Sequence, residues 1–256
     1  MTKKIPRGVN NNIVSKDLKK ISIMKISIII PLYNEEKTII TLLEKIKNIQ
    51  GLNNKEVIVV DDFSNDNSLK LVENYKGFNN ILILKHDKNL GKGAAIKTAQ
   101  KHVTGEIVII QDADLEYDPN DYSRLINPIL NDNFKVVYGS RVINKKRYKA
   151  ENFTSIYRIF FNHLLTIFSN IINNQNLTDA HTCYKVFATH VFKKIQLEEN
   201  RFGFCPEITT KISKLKYQIK EVPISYNGRK YSEGKKIGIL DGFDAIKSLI
   251  IYKYFK

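Results

Sequence analysis

Cysteine is nearly absent: Cys183 and Cys205 are the only two in 256 residues. They form no CxxC pair, which excludes a zinc ribbon or a disulfide framework and fits free thiols in a reducing compartment. No apolar run reaches the roughly 18 residues of a membrane-spanning helix. The opening "MTKKIPRGVNNNIVSKDLKK" is polar and lacks the apolar core of a signal peptide. No GxGxxG follows the first apolar run, which argues against a dinucleotide oxidoreductase. No GxxxxGK[ST] occurs either, which argues against a P-loop kinase. Internal repeats and low-complexity linkers are missing too.

Charge of one sign is abundant. Lys and Arg number 41 against 26 Asp and Glu, a net +15. Such a surface suits an anionic partner: nucleic acid, an anionic membrane or a phosphorylated substrate. Lysines simply left in solvent would give the same number. With 43% hydrophobic residues the chain can bury a real core.

The apolar residues have a rhythm. "KISIII", "EVIVVDD", "ILILK", "EIVIIQD" and "KVVYGS" read as short strands. Helices are expected between them: over 36–48 with Ile39, Leu42, Leu43 and Ile46 inward, after a Ser64 cap up to Gly77, over 93–103, and over 120–130. Wholly apolar strands alternating with amphipathic helices predict an α/β fold, a mostly parallel sheet with helices on both faces. "ISIMKISIIIPLY" is therefore a strand, broken by Lys25 and ended by Pro31. Later come a long helix over 152–172 and a C-terminal helix within "IGILDGFDAIKSLIIYKYFK". Their broad apolar faces suit core packing or a lipid or partner surface. The expected organisation is a basic extension over 1–24, a catalytic domain over 25–225, and a loop with an amphipathic helix over 226–256.

Ligands bind beyond the carboxyl ends of parallel strands, and the polar clusters fall there. They are Pro31 to Glu35, Asp61-Asp62, and "DADLEYDP". In extended backbone Asp112 and Asp114 point the same way. Two adjacent carboxylates stay ionised only with positive charge between them. Mg²⁺ or Mn²⁺ is the natural occupant, with Glu116 as a further oxygen ligand. An Asp-rich turn alone would look similar; the position after a buried strand favours the cation. Asp61 or Asp62 can accept from a base edge or ribose hydroxyls, and Tyr33 can meet the base. "NLGKGAA" opens a helix whose free amides and Lys92 suit an anion, unless it is only a helix-initiating turn.

"SIIIPLYNEEKTI", "EVIVVDDFSNDNS", "NLGKGAAIKTA" and "DADLEYDP", in this order, resemble family-2 glycosyltransferases of the GT-A fold. "VVYGSR", "TDAHTCYKVF" and "EVPISYNGRKYSEGKK" are similar to the polyprenyl-phosphate (dolichyl-phosphate) hexose synthases within that family. The resemblance implies that Pro31, Tyr33, Glu35, Asp61, Asp62, Lys92 and Asp112 bind the nucleotide. It places the metal and diphosphate on Asp112, Asp114 and Glu116. Many relatives carry Gln where this chain has Glu116, and TSGFR where it has "HTCYK", so Lys185 replaces an arginine. Arg141, Arg158, Lys185, Arg229, Lys235 and Lys236 are expected to converge on an acceptor phosphate, with "GRKYSEGKK" closing as a loop. Asp112, Asp114, Arg141 and Arg229 form the expected catalytic set.

The implied activity is inverting, metal-dependent transfer of a hexose from GDP-mannose or UDP-glucose to a polyprenyl or dolichyl phosphate. The implied setting is peripheral, at the cytoplasmic face of a membrane, with or without a separate membrane partner. Three alternatives compete. A family-2 enzyme acting on a sugar hydroxyl needs a carboxylate base, for which Glu207 or Asp179 is available. Its processive branch carries QxxRW, and this chain has no Trp. A nucleotidyltransferase needs a glycine-rich loop that "PLYNEEKT" does not supply. A non-catalytic nucleic-acid or anionic-membrane binder leaves the strand-end carboxylates unexplained, because they repel phosphates. No nucleic-acid partner is expected.

Overall fold

The computed structural model describes residues 23–79, 81–144, 153–229 and 239–256, without the side chains of 153–158 and 239–241. Seven strands form one sheet: β1 (Ile26–Leu32), β2 (Lys55–Asp61), β3 (Ile81–Lys85), β4 (Ile107–Ile110), β5 (Val136–Ser140), β6 (Lys185–Ala188) and β7 (Ile219–Pro223), in the spatial order β3-β2-β1-β4-β6-β5-β7. All neighbours are parallel except at β6, which runs against both β4 and β5.

Strand alternation divides the core into two layers. Ile26, Ile28, Ile30 and Leu32 pack with Val57, Ile107 and Ile109 against helices α1 (Ile39–Lys47), α2 (Ser68–Asn74) and α4 (Tyr122–Asn131). Ile29, Ile58, Val60, Val108 and Ile110 face the other way, onto α3 (Lys92–Gln100), α6 (Thr189–Lys194) and α7 (Phe204–Lys214). Both faces are covered, as the continuous apolar runs require. α5 (Phe153–Asn173) and α8 (Ile239–Tyr254) pack beside each other and on α7. α5 leaves Phe160, Phe161, Leu164, Ile167 and Ile171 exposed, and α8 leaves Phe243, Ile250 and Tyr254 exposed. No helix among the described residues is long and apolar enough to cross a membrane.

Several boundaries differ from expectation, each for a local reason. α1 starts at Ile39, because residues 35–38 form a turn in which Thr38 and Ile39 donate to the Glu35 carbonyl. Ser64 caps no helix: its hydroxyl accepts from the Asn34 N–H, and Asp66 instead takes the Ser68 N–H at the start of α2. Strands β6 and β7 and helices α6 and α7 were not foreseen as elements.

The amino-terminal edge of the sheet is tied by one carboxylate. Glu56 accepts from Ser27 Oγ at 2.5 Å and Thr104 N at 2.6 Å, and pairs with Lys25 at 2.7 Å. Burial works against its charge, but these hydrogen bonds win and hold its carboxyl down at about 2.

Candidate active site

β1 is flanked by β2 on one side and β4 on the other, so the connections leave it in opposite directions. A crevice opens at the carboxyl ends of such strands. Three loops line it, following β1, β2 and β4. Each contains a non-glycine residue in the left-handed region: Asn34 (φ 53°), Phe63 (φ 66°) and Leu115 (φ 60°). That conformation is costly for L-residues and concentrates at functional sites. The first two loops are knitted together. Asn34 N donates to Ser64 Oγ (3.0 Å), Asn65 N to Asn34 Oδ1 (2.8 Å), and Glu35 N to Ser68 Oγ (2.7 Å).

The acidic loop after β4 is a turn, not extended backbone. β4 ends at Ile110, Leu115 is left-handed, and Glu116 N donates back to Asp114 Oδ1 at 3.1 Å. The two aspartates therefore do not sit in strand alternation, and each has found its own cation. Asp112 is paired with the Lys92 ammonium, which also reaches Cys183 Sγ at 2.9 Å. Asp114 Oδ2 accepts from Arg229 Nη2 at 3.0 Å. The same guanidinium grips Glu35, with Nη2 at 3.0 Å and Nη1 at 3.1 Å from its two oxygens. Glu116 Oε1 accepts the Arg229 backbone N–H at 2.8 Å and Oε2 the Tyr226 hydroxyl at 2.7 Å. Among the described residues, no three Asp, Glu, His or Cys side chains are arranged to hold a metal ion. The expected trio of Asp112, Asp114 and Glu116 is thus not assembled as a ligand set, because basic and hydroxyl groups of the chain already engage each member.

The negative charge is nonetheless crowded. Burial, then the charges of Asp112 and Glu116, push Asp114 up to about 7, even with Arg229 pulling it down. A hard divalent cation suits this donor set: oxygen ligands and excess buried negative charge. Lys92 stays charged. Burial opposes its charge, but Asp112 beside it raises its pKa above the ordinary lysine value.

On the nucleotide side, Asp61 and Asp62 part company. Asp62 is a pin for the loop before α3: it takes the Leu90 and Gly91 N–H groups at 2.9 and 2.7 Å and the His86 ring at 2.7 Å. Asp61 accepts from Ser64 N at 3.2 Å, and its Oδ1 is buried with no hydrogen-bond partner. A buried orphan acceptor calls for a donor, so Asp61 is the better placed of the two for a ligand hydroxyl or amine. Pro31 lies within β1 opposite Val60, and Tyr33 and Glu35 follow it on the same rim. At the expected anion site, Asp62 takes the Leu90 and Gly91 amides just before α3, and Asn200 O accepts the Ala94 N–H at 2.9 Å. Gly91 and Gly93 also approach residues 199–201 closely: a Cβ would stand 2.6 Å from Asn200 O and 2.4 Å from Glu199 O respectively.

The expected acceptor-phosphate residues do not form one cluster. Arg141 is bound in bidentate fashion to buried Asp179, at 2.7 and 2.8 Å, and its guanidinium lies 5.2 Å from the Tyr226 ring centre. Burial would raise Asp179, but Arg141 outweighs it and keeps the carboxyl below its usual range. Lys185 is corrected to a core residue. It is fully buried, donates to the Ala180 and Thr182 carbonyls at 3.0 and 2.8 Å, and stands 3.8 Å over the Tyr138 ring. Burial lowers its pKa. Arg229 belongs to the acidic pocket. Lys235 and Lys236 lie outside the described residues, as do most of "GRKYSEGKK" and the Arg158 side chain.

Sequence reasoning passed over Tyr226 and Tyr117, whose rings lie 5.3 Å apart. Both are uncharged, and the signals were only positional: Tyr117 stands inside "DADLEYDP", and Tyr226 three residues before Arg229 in another quoted motif. Asp179 was weighed only as a base.

A family model described as Glycosyl transferase family 2 matches residues 27–196. A UDP-N-acetylglucosamine–dolichyl-phosphate N-acetylglucosaminyltransferase of Methanococcus voltae is 30% identical over 249 residues, spanning 90% of this chain and 97% of that protein. A dolichyl-phosphate beta-glucosyltransferase of Trichomonas vaginalis is 31% identical over 245 residues, spanning 89% of this chain and 74% of that one. Among solved structures, glucosyl-3-phosphoglycerate synthase from Mycobacterium tuberculosis, in complex with Mn²⁺, UDP and phosphoglyceric acid, superposes with a TM-score of 0.68. It covers 93% of this chain and 82% of that one at 16% identity, a likeness of fold.

Proposed function

The chain belongs to glycosyl transferase family 2 and has the GT-A fold, and from this premise we propose that it transfers a hexose from a nucleoside diphosphate sugar to a polyprenyl phosphate, inverting the anomeric centre. The observation that carries the reading is the carboxylate cluster at the carboxyl ends of β1, β2 and β4, in which Asp61 keeps a buried oxygen without a partner. Asp112 and Asp114 stand with it on the proposed donor side, and Arg141 lies 5.2 Å from the Tyr226 ring centre. Relatives named for dolichyl phosphate along nearly the whole chain support a lipid-phosphate acceptor over other acceptors. Their sugars differ, so the hexose is the finer part of the proposal, with N-acetylglucosamine beside glucose and mannose.

A phosphate acceptor needs no base. Its oxygen is anionic near pH 7 and requires placement more than deprotonation. The two carboxylates that a hydroxyl acceptor would recruit are both engaged. Asp179 is locked to Arg141, and Glu207 accepts from Glu198 N at 2.7 Å, Glu199 N at 2.9 Å and Lys211. Asp112 and Asp114 would hold Mg²⁺ or Mn²⁺, which when bound supplies positive charge against a departing diphosphate. Asp61 offers its free oxygen to the nucleoside. Arg141 is held rigid by Asp179, so its remaining N–H groups are preorganised for an anion. The exposed apolar faces of α5 and α8, with Lys247 between Phe243 and Ile250 in sequence, suit peripheral contact with lipid.

The test is a transfer assay with UDP-N-acetylglucosamine, UDP-glucose and GDP-mannose in the presence of Mn²⁺. Polyprenyl phosphate and an oligosaccharide are supplied as rival acceptors. Labelled sugar entering the lipid fraction with one donor supports the reading. Transfer to the oligosaccharide alone overturns it.

A further inference from the structure

Glu116 stands where a third oxygen ligand was expected, yet its carboxylate faces another task. It accepts the Tyr226 hydroxyl and the Arg229 N–H, and its own carbonyl accepts the Asn227 N–H at 2.8 Å. One residue of the β4 loop thus holds three points of the segment that follows β7. Tyr117 and Tyr226 add a backbone bridge along the same seam. Glu116 is only 9% exposed, so water competes little for these bonds.

The segment so held carries two groups that matter. Arg229 sends its guanidinium into the acidic pocket, and Tyr226 lays its ring beside the Arg141 guanidinium. We infer that Glu116 is a positioning residue: its carboxylate clasps the 226–229 segment through Tyr226 and Arg229, and so sets where the Arg229 guanidinium and the Tyr226 ring stand, rather than ligating the cation. What Arg229 serves rests on the function proposed above; the clasp itself does not. To ligate the cation as well, the carboxylate would have to present a lone pair that these two bonds leave free, in the orientation the bonds fix, or break one of them and leave a hydroxyl or an amide without its acceptor in a nearly dry seam. An amide side chain can keep the clasp, with its oxygen accepting from Arg229 N–H and its NH₂ facing the Tyr226 oxygen.

The variants that decide are Glu116→Ala, Glu116→Gln and Tyr226→Phe. Amide hydrogen exchange at residues 227 and 229 is followed in metal-free protein. Mn²⁺ affinity is measured by electron paramagnetic resonance, alone and with UDP or GDP. Glu116→Ala should speed exchange at both amides at least tenfold and lower kcat at least tenfold, with Mn²⁺ affinity unchanged within threefold. Glu116→Gln should restore both exchange protection and kcat. Tyr226→Phe should speed exchange while leaving Mn²⁺ affinity alone. A tenfold loss of Mn²⁺ affinity in Glu116→Gln with normal exchange makes Glu116 a ligand and overturns the inference. Should Glu116→Ala fail to fold, Tyr226→Phe decides: unaltered exchange overturns the clasp, and faster exchange with intact Mn²⁺ affinity upholds it. If wild-type protein binds no Mn²⁺ with either nucleotide, the proposed function fails, and exchange alone still decides the clasp.

Discussion

The Arg229 guanidinium lies 3.0 Å from Asp114 Oδ2, although 115 positions separate the two residues in sequence. With Glu35 on its other edge at 3.0 Å, this one cation balances much of the charge that a metal ion would otherwise meet. Arg229 and a divalent cation would therefore draw on the same carboxylates.

Removing Arg229 should make stability depend on metal. In Arg229→Ala, Glu35 and Asp114 face each other without their shared partner. The metal-free variant should melt roughly 2–6 °C below wild type. Mn²⁺ should raise its melting temperature more than it raises that of wild type. Differential scanning fluorimetry with and without a chelator measures both shifts, and equal Mn²⁺ shifts in the two proteins would contradict shared carboxylates.

Asp114→Ala should lower transfer at least about a hundredfold. Metal-dependent nucleotide binding should vanish in the same variant. Calorimetry with UDP and GDP in Mn²⁺ tests the coupling; intact binding would remove Asp114 from the donor site.

Asp179→Asn should be costly to the fold. It leaves the Arg141 guanidinium buried without its bidentate partner, a change of about 3–5 kcal/mol for a broken buried pair. Urea denaturation reads the loss directly. Arg141→Lys should rescue little, because an ammonium cannot reproduce two parallel N–H···O bonds.

Glu56 fixes the acid limb of the stability profile. Its carboxyl is held down at about 2 in the folded chain, against an ordinary 4.5. A depressed folded pKa gives stability that is complete above about pH 4.5 and is lost as pH falls towards 2. Glu56→Gln should therefore melt below wild type at pH 7, and the gap should narrow between pH 4.5 and pH 2. A constant gap across that range would mean the carboxylate charge is not what ties Ser27, Thr104 and Lys25 together.

Legibility in the sequence followed range. β1, β2 and β4 were readable because each is a continuous apolar run with polar residues at its carboxyl end, a local signal. β6 was not, since "KVFA" opens with a lysine that the fold buries completely over Tyr138. Apolar patterning also says nothing about strand direction. The site's ingredients were readable as strand-end clusters, but its pairings were not. Lys92 with Asp112, Arg229 with Glu35 and Asp62 with the Leu90 amide before α3 join residues 20 to 194 positions apart. Asp62 illustrates the difficulty: a carboxylate beside a strand end looks the same in sequence whether it waits for a ligand or holds a neighbouring loop.

The reversed direction of β6 decides what the crevice can become. A strand running against β4 starts where β4 ends, with Val186 opposite Ile109 and Lys185 at the same rim as the acidic turn. The stretch leading into it, with Asp179 and Cys183, is thereby delivered to a border otherwise built only by outgoing loops. That connection enters the rim instead of leaving it, unlike the tails of β1, β2 and β4. The proposed acceptor side would thus reach the sheet edge on a piece of chain of its own, meeting the acidic loop where Lys92 touches Cys183 Sγ and the Tyr117 hydroxyl accepts the Cys183 N–H.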